Sequence, residues 1–312
     1  MDYGHKQTDK SLKRLERELK KEYRKAYEEL KKKSDKYFSD FTKEDANMRS
    51  LVKSGEISKD KYTEWRSSKV LTGKGYESLK EKLAMDLANV NAIAYSMIND
   101  HAKKAYVLNF NYGTYEIEKG TGILTNFTLY DEKTVERLMK ENPKLLPKAK
   151  QKIKKELRWN KQKIQSSLVQ GVLQGDSIDN LSKRLRDVTN MNLHSSIRNA
   201  RTMTTGAENA GRVDSYKRAE DMGIHIRKMC VSTLDGRTRH SHRVLDGQKV
   251  NVEEEFTNGC MFPADPDGPA EEVYNCRCTL VADLEGFEYN EDRVSEYLED
   301  SDITYDDWVN GR

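Results

Sequence analysis

Across residues 11–41 the apolar side chains Leu12, Leu15, Leu19, Tyr23, Ala26, Leu30 and Tyr37 mostly recur three or four positions apart, with Lys, Arg and Glu between them. Only an α-helix gathers that spacing onto one side, so this stretch is expected to be a long amphipathic helix with a solvated outer face. Its mixed charges can pair at i,i+4, which favours a solvated surface over a grip on nucleic acid. Gly55, Gly73 and Gly75 interrupt the pattern, and Leu79, Leu83, Leu87, Val90, Ile93, Ala94 and Met97 define a further helix. A chain of 312 residues with 36% hydrophobic side chains can bury a core, but its 34% charge and mean hydropathy of −0.91 point to long solvated helices or an assembly component.

The texture changes after Tyr106. Asn109-Phe110-Asn111-Tyr112-Gly113-Thr114-Tyr115 mixes poor helix formers with aromatic residues, and its alternation is too weak to choose strand or loop, so an irregular insertion with some extended segments is expected near 106–130. Asp131 starts a helix through Thr134, Val135 and Leu138, and Pro143 and Pro147 mark a soft boundary. Gly171 and Gly175 mark a turn. Ser177 then starts a helix through Leu185, and another runs from about Ser195 to Met222. Beyond Gly223 the period shortens and Gly236, Gly247, Gly259 and Gly268 punctuate it, as in short strands joined by ordered loops. The fold class is therefore α+β, a mainly helical N-terminal region followed by a small α+β C-terminal module. The expected limits are 1–147, 148–283 and an acidic tail, 284–312.

That tail holds ten carboxylates against Arg293 and Arg312, so the net charge of +3 hides about +11 on the preceding residues. Such polarity suits a partner bearing phosphates or an acidic surface, and it also serves plain solubility. The most basic stretch, 144–163, has nine Lys or Arg residues against Glu156 alone. Its Lys148, Lys150, Lys152, Lys154, Lys155, Arg158, Lys161 and Lys163 are the candidate contacts to double-stranded DNA. Equally, Ile153, Leu157, Ile164 and Leu168 fit an ordinary amphipathic helix whose lysines face water. The charged start of the chain has no apolar run of signal-peptide or membrane-span length, so an intracellular protein with reduced cysteines is expected.

Two groups of residues could carry chemistry or lock a structure. Ala200, Thr204, Ala207 and Gly211 put small residues on adjoining turns of one helix face, with Arg201, Glu208 and Arg212 as polar anchors. Asp235-Gly236 and Asp246-Gly247 are strong turn formers that bracket His242. Read as extended chain, Arg237 and Arg239 share one side and could pair with Asp235 or Asp246, and His240 and His242 share a face. By the same spacing Cys276 and Cys278 point one way, and with His242 they make a candidate Zn²⁺ site whose fourth donor is open among Cys260, His240 and Asp235. The alternative is a pair of small, buried, reduced hydrophobes. A Cys–His nucleophile is conceivable, but Walker, Rossmann, G-x-S-x-G and H-E-x-x-H patterns are all missing from the sequence.

Taken in order, Ala200-Arg201-Thr202, Ala207-Glu208-Asn209, Gly211-Arg212, Thr233-Leu234-Asp235, Arg237-Thr238-Arg239, His242, Leu245-Asp246-Gly247-Gln248, Phe262-Pro263, Asp265 and Asn275-Cys276-Arg277-Cys278 resemble the Mu F-like head morphogenesis family of tailed bacteriophages. The likeness covers roughly 160–280, and the 109–113 segment is similar to minor head proteins of phages infecting Gram-positive bacteria. The resemblance implies a non-enzymatic minor capsid component, without a required cofactor, that binds the portal protein and enters the procapsid with scaffold or major capsid protein as further partners. It implies a place in the virion interior after assembly in the host cytoplasm, with contact to packaged DNA or an effect on its ejection. Arg201, Asp235, Arg237, Asp246 and Gly247 are then structural motif residues. Some relatives carry Cys at the positions of His242 and Arg239 and His at that of Val273, and this chain departs there. Other readings are a DNA-binding protein acting mainly on the viral genome and a zinc- or thiol-dependent enzyme.

Overall fold

In the structure, a computed structural model, residues 2–39, 42–71, 74–125, 127–142, 146, 149–284 and 303–311 are described. The opening helix is present as α1 (Tyr3–Ser39), followed by α2 (Thr42–Lys53), α3 (Lys59–Leu71), α4 (Lys74–Thr121), α5 (Glu132–Glu141), α6 (Ile153–Leu173) and α7 (Ile178–Glu220). The small module then alternates β1 (Arg227–Val231), α8 (His240–Val244), β2 (Lys249–Asn251), α9 (Ala270–Val273) and β3 (Thr279–Asp283). A last short helix, α10 (Tyr305–Asn310), follows. This is the expected α+β class, mainly helical with a small C-terminal sheet. Among the described residues no helix is long and apolar enough to cross a membrane.

The chain folds as two compact units. One comprises 17–96 and 150–197, and its core joins Leu30, Phe38, Leu83, Leu87, Ile164, Leu168, Leu181 and Leu185. A buried polar layer crosses it: Tyr23 Oη donates to Asn91 Oδ1 (2.6 Å), and Asn91 Nδ2 donates to Asn192 Oδ1 (2.9 Å). Each of these groups is satisfied, so the layer fixes helix partners without the cost of an unpaired buried dipole.

The other unit comprises 1–16, 97–149 and 198–312. Its sheet is antiparallel in the order β2-β1-β3, with Lys228 opposite Val250 on one side and Ala282 on the other. Ile224, Ile226, Cys230, Val252, Phe256, Cys278 and Leu280 pack beneath it with Ile117, Val213 and Tyr216 from the helices. Close helix contact is set by Gly211, where a Cβ would sit 2.5 Å from the Tyr106 carbonyl oxygen and 2.9 Å from the Phe110 nitrogen. That is the use of the small-residue face, since only hydrogen fits between the two backbones.

Two expectations are corrected. Residues 106–121 are not an irregular insertion but the end of α4, and only the stretch between Thr121 and α5 lacks helix. The poor helix formers there are buried and bonded. Asn109 Nδ2 donates to Thr8 Oγ1 (2.8 Å) and to the Ala105 carbonyl (2.9 Å), Thr114 Oγ1 donates to the Phe110 carbonyl (3.0 Å), and Asn111 exchanges two bonds with the Tyr130 backbone. Tertiary bonding thus overrides low propensity. Likewise α7 is one helix, not two: Thr189 and Asn192 bond back to the Leu185 and Val188 carbonyls, and Gly223 at φ 84° closes it with Ile224 N donating to the Ala219 carbonyl. Asp131 does cap α5, accepting from Thr134 N, whereas Pro143 and Pro147 lie outside the described residues.

Candidate functional site

The turn-rich module is built by its own side chains. Asp235 Oδ1 accepts from Arg237 N (2.8 Å), Thr238 Oγ1 bonds the Thr233 carbonyl, and Arg277 grips both Asp235 oxygens at 2.6 and 2.8 Å. That forked guanidinium holds the Asp235 carboxyl well below the usual range, with the Arg237 backbone N–H adding to it. Because 233–238 is a turn and not extended chain, Arg237 and Arg239 part company. Arg237 is largely exposed and only 3.5 Å from Asp235, while Arg239 donates to the Tyr274 carbonyl. The pairing expected of Arg237 and Arg239 is made chiefly by Arg277. Asp246 accepts from Ser232 N (2.8 Å), and Gly247 at φ 78° turns its N–H onto the Cys230 carbonyl (2.8 Å).

Between these turns, 240–244 is the short helix α8, which also separates the two histidines. His240 is exposed and His242 buried, so they do not share a face. His242 Nδ1 lies 3.3 Å from Cys278 Sγ and 3.7 Å from Cys276 Sγ, and its Nε2 lies 3.1 Å from Glu272 Oε2. One ligand atom from each of His242, Cys276 and Cys278 falls within 4.8 Å of the others, and all three residues are buried. Bonds from Cys230 and Cys276 lower the Cys278 thiol, and the Cys278 contact in turn raises His242. Cys230 and Cys276 are correspondingly raised.

The geometry fits a tetrahedral metal. With Zn–S near 2.3 Å and Zn–N near 2.0–2.1 Å, nitrogen and sulfur donors stand about 3.6 Å apart, which the two His–Cys distances bracket. Glu272 Oε2 stands 3.1 Å from His242 Nε2, close to where the carboxylate partner of a ligating imidazole would stand, but without the alignment of a hydrogen bond. Of the fourth donors open in the sequence, Cys260 lines the same small void but is not among the three convergent residues, His240 is exposed, and Asp235 is taken by Arg277. Cys230 was not among those considered, because a lone cysteine in a strand gives no spacing signal.

The small-residue helix and the Cys-x-Cys segment turn out to be two sides of one seam. Thr205 Oγ1 donates to the Cys276 carbonyl (2.9 Å), and Asn209 Nδ2 to that of Cys278 (3.1 Å). Asn209 Oδ1 accepts from Leu280 N (2.9 Å), and Arg212 Nη1 donates to the Leu280 carbonyl (2.6 Å). Glu208 Oε1 accepts from Thr279 Oγ1 and faces His5 Nδ1, both at 2.7 Å. Burial pulls His5 down, but Glu208 overrides it and holds the imidazole above its ordinary value. Asn275, at φ 56°, supplies the left-handed corner from which the segment enters the seam. Arg201 ends outside this ladder, 2.6 Å from Glu16.

From Lys150 on, the basic stretch belongs to the unit that comprises 17–96 and 150–197. Lys150, Lys152, Lys154, Lys155, Arg158 and Lys163 are exposed, Lys161 is half-buried and paired with Glu81 at 2.8 Å, and Lys163 lies over the Trp159 ring. Lys148 lies outside the described residues. Ile164 and Leu168 of the same helix are fully buried.

A helix stitched by Thr205, Glu208, Asn209 and Arg212 to a turn-locked Cys-x-Cys segment and the strand that follows it defines a folded module of one type. Residues 162–281 match the family described as Phage Mu protein F like protein, as the motif order led one to expect. The chain is 28% identical over 222 residues to the minor head protein GP7 of Bacillus phage SPP1, covering 68% of this chain and 70% of that protein. It is 30% identical over 154 residues to the NAD(+)–arginine ADP-ribosyltransferase EFV of Enterococcus faecalis, covering 48% of this chain but 32% of that enzyme. A third relative, the uncharacterized protein YqbB of Bacillus subtilis, is 28% identical over 123 residues, 38% of this chain and 40% of its own. The chain thus spans under half the length of two of these relatives. No solved structure matches it significantly.

Proposed function

We propose that the chain is a non-enzymatic minor capsid protein acting in head morphogenesis of a tailed phage. The likeness to the SPP1 minor head protein carries this reading, because it runs through about two thirds of both chains and not through one shared module. The enterococcal likeness leaves two thirds of that enzyme unmatched, so its transferase activity has no claim on this chain. In this reading 148–283 is the head-morphogenesis domain, 1–147 supplies assembly surfaces to the portal and to scaffold or major capsid protein, and the acidic tail is a docking handle. The protein is built into the procapsid in the host cytoplasm and ends in the virion interior. Mass spectrometry of purified full and emptied particles, with co-purification on portal rings, tests it. Recovery in full particles and on the portal is expected; absence from both would end the reading.

Direct DNA contact is assigned to the exposed Lys150, Lys152, Lys154, Lys155, Arg158 and Lys163, together with Lys161 and Lys148. What favours it is the density of exposed cations, Lys150, Lys152, Lys154, Lys155, Arg158 and Lys163, just before and along the first part of α6. Binding to duplex DNA should weaken linearly in log–log terms with salt, and each phosphate contact removed should lower the slope by about 0.9. The triple change Lys154→Gln, Lys155→Gln and Arg158→Gln is expected to cut affinity and flatten the slope by about 2 to 3. A salt-independent affinity would show that these lysines only face water.

The His242, Cys276 and Cys278 cluster is proposed to hold one structural Zn²⁺, with Glu272 orienting the imidazole. Bound there, the metal would staple α8 to the Cys-x-Cys segment, the two parts of the module joined by few backbone bonds.

A further inference from the structure

The segment 303–311 is seated on the second unit as a peptide is seated on a receptor. Thr304 and Asp307 close a capping box that starts α10. Trp308 is fully buried, and its indole Nε1 donates to Glu118 Oε2 (2.8 Å). Glu118 is itself fully buried and held ready by Thr125, whose N donates to its other oxygen (2.8 Å). Tyr305 packs among Tyr3, Tyr112 and Tyr115 with ring centroids 5.5–5.7 Å apart. Tyr115 Oη (2.8 Å) and Lys119 Nζ (3.2 Å) both donate to the Ile303 carbonyl, and Tyr3 Oη donates to Asp306 (3.0 Å). A buried aromatic anchor, a prepaid carboxylate and a polar rim are the parts of a specific binding site.

The tether to this segment is far longer than its task requires. Leu284, the last described residue before it, lies against Gly120, while the Ile303 carbonyl is held by Lys119 and Tyr115 on the same end of α4. The two attachment points are neighbours, yet 18 residues, 285–302, join them. Such a length can span up to about 60 Å when extended. The same segment can therefore reach an identical site on another molecule without leaving its own chain.

We propose that the site formed by Tyr3, Tyr112, Tyr115, Glu118 and Lys119 receives the 303–311 segment of a second copy of this chain, linking copies by exchange. A tether of this length gives the chain's own segment an effective concentration of order millimolar. In dilute solution each copy closes on itself, and at the local concentration of an assembly the segment passes between copies.

The test uses the full chain with Trp308→Ala, which leaves the site intact and disables its own ligand. A fluorescent peptide of residues 303–312 is titrated into it and into the wild type, and light scattering follows wild-type mass with concentration. The variant should bind the peptide saturably and at least tenfold more tightly than the wild type, and a peptide carrying Trp308→Ala should not bind. Wild-type dimers should form with rising concentration and be lost in the Trp308→Ala chain. A chain ending at residue 302 replaces the variant if its circular dichroism departs from wild type. Absence of saturable binding overturns the site. Peptide binding with a wild type that stays monomeric at millimolar concentration overturns the second copy as occupant.

Discussion

Replacing Arg212 by Leu is expected to lower the unfolding free energy by about 3–5 kcal/mol, the cost of breaking a buried ion pair from one side. Arg212 is fully buried and donates to both Asp2 oxygens (2.7 and 3.0 Å), to Asn109 Oδ1 (3.1 Å) and to the Leu280 carbonyl (2.6 Å), with Glu116 at 3.5 Å. Leucine fills the volume but leaves two carboxylates and a carbonyl without their cation. Burial pushes Glu116 up to about 8, with Arg212 pulling it back. A carboxyl raised in the fold costs stability as it ionises, from its ordinary 4.5 up to that value. The loss should therefore be smaller at pH 5, where Glu116 is neutral, than at pH 8. Urea unfolding at the two pH values checks both statements. Adding Asp2→Asn and Glu116→Gln to Arg212→Leu should recover a large part of the loss, and a single-variant loss under about 1 kcal/mol would refute the account.

The second large effect concerns the thiol–imidazole cluster. Elemental analysis of the intact protein should return one zinc per chain, and Cys276→Ser, Cys278→Ser and His242→Ala should each abolish it. Cys260→Ser should retain the metal, because Cys260 is not one of the convergent donors. Glu272→Gln should weaken affinity about 10- to 100-fold, since the carboxylate acts through His242. With free zinc at a hundred times Kd, binding to the native chain alone adds about 2.7 kcal/mol, so a chelator should lower the unfolding midpoint by a matching amount. A metal-free protein indifferent to chelators would leave these residues as a hydrogen-bonded, reduced cluster.

The helices with regular apolar spacing could be read directly, as could the turns at Asp235-Gly236 and Asp246-Gly247. What escaped was decided by partners distant in the chain. Nothing local in Asn109, Asn111 or Thr114 announces a helix; their side chains are satisfied by Thr8 and Tyr130 or by the turn before them, and that makes the helical backbone affordable. His240 and His242 were placed by strand geometry in a segment that is helical, because five residues are too few for a period to declare itself. The convergence of His242 with Cys276 and Cys278 was visible in residue types, whereas Glu272 and Cys230 needed the fold to come near. Arg277, hidden inside the Cys-x-Cys motif, gave no sign that it would be the partner of Asp235.

The fastening of Asp2 and His5 to Arg212 and Glu208, and through them to Thr279 and Leu280, has a consequence in time. Contacts across more than two hundred residues cannot form until the later partner has been made. At about 5–20 residues per second the first residues wait roughly 15 to 60 seconds for their partners to leave the ribosome. During that interval 17–96 and 150–197 have been made in full and can fold, while the unit holding both ends of the described chain stays open. Closure of that unit is then a late, non-local step. The unit is in this way completed only after Thr279 and Leu280 have been made.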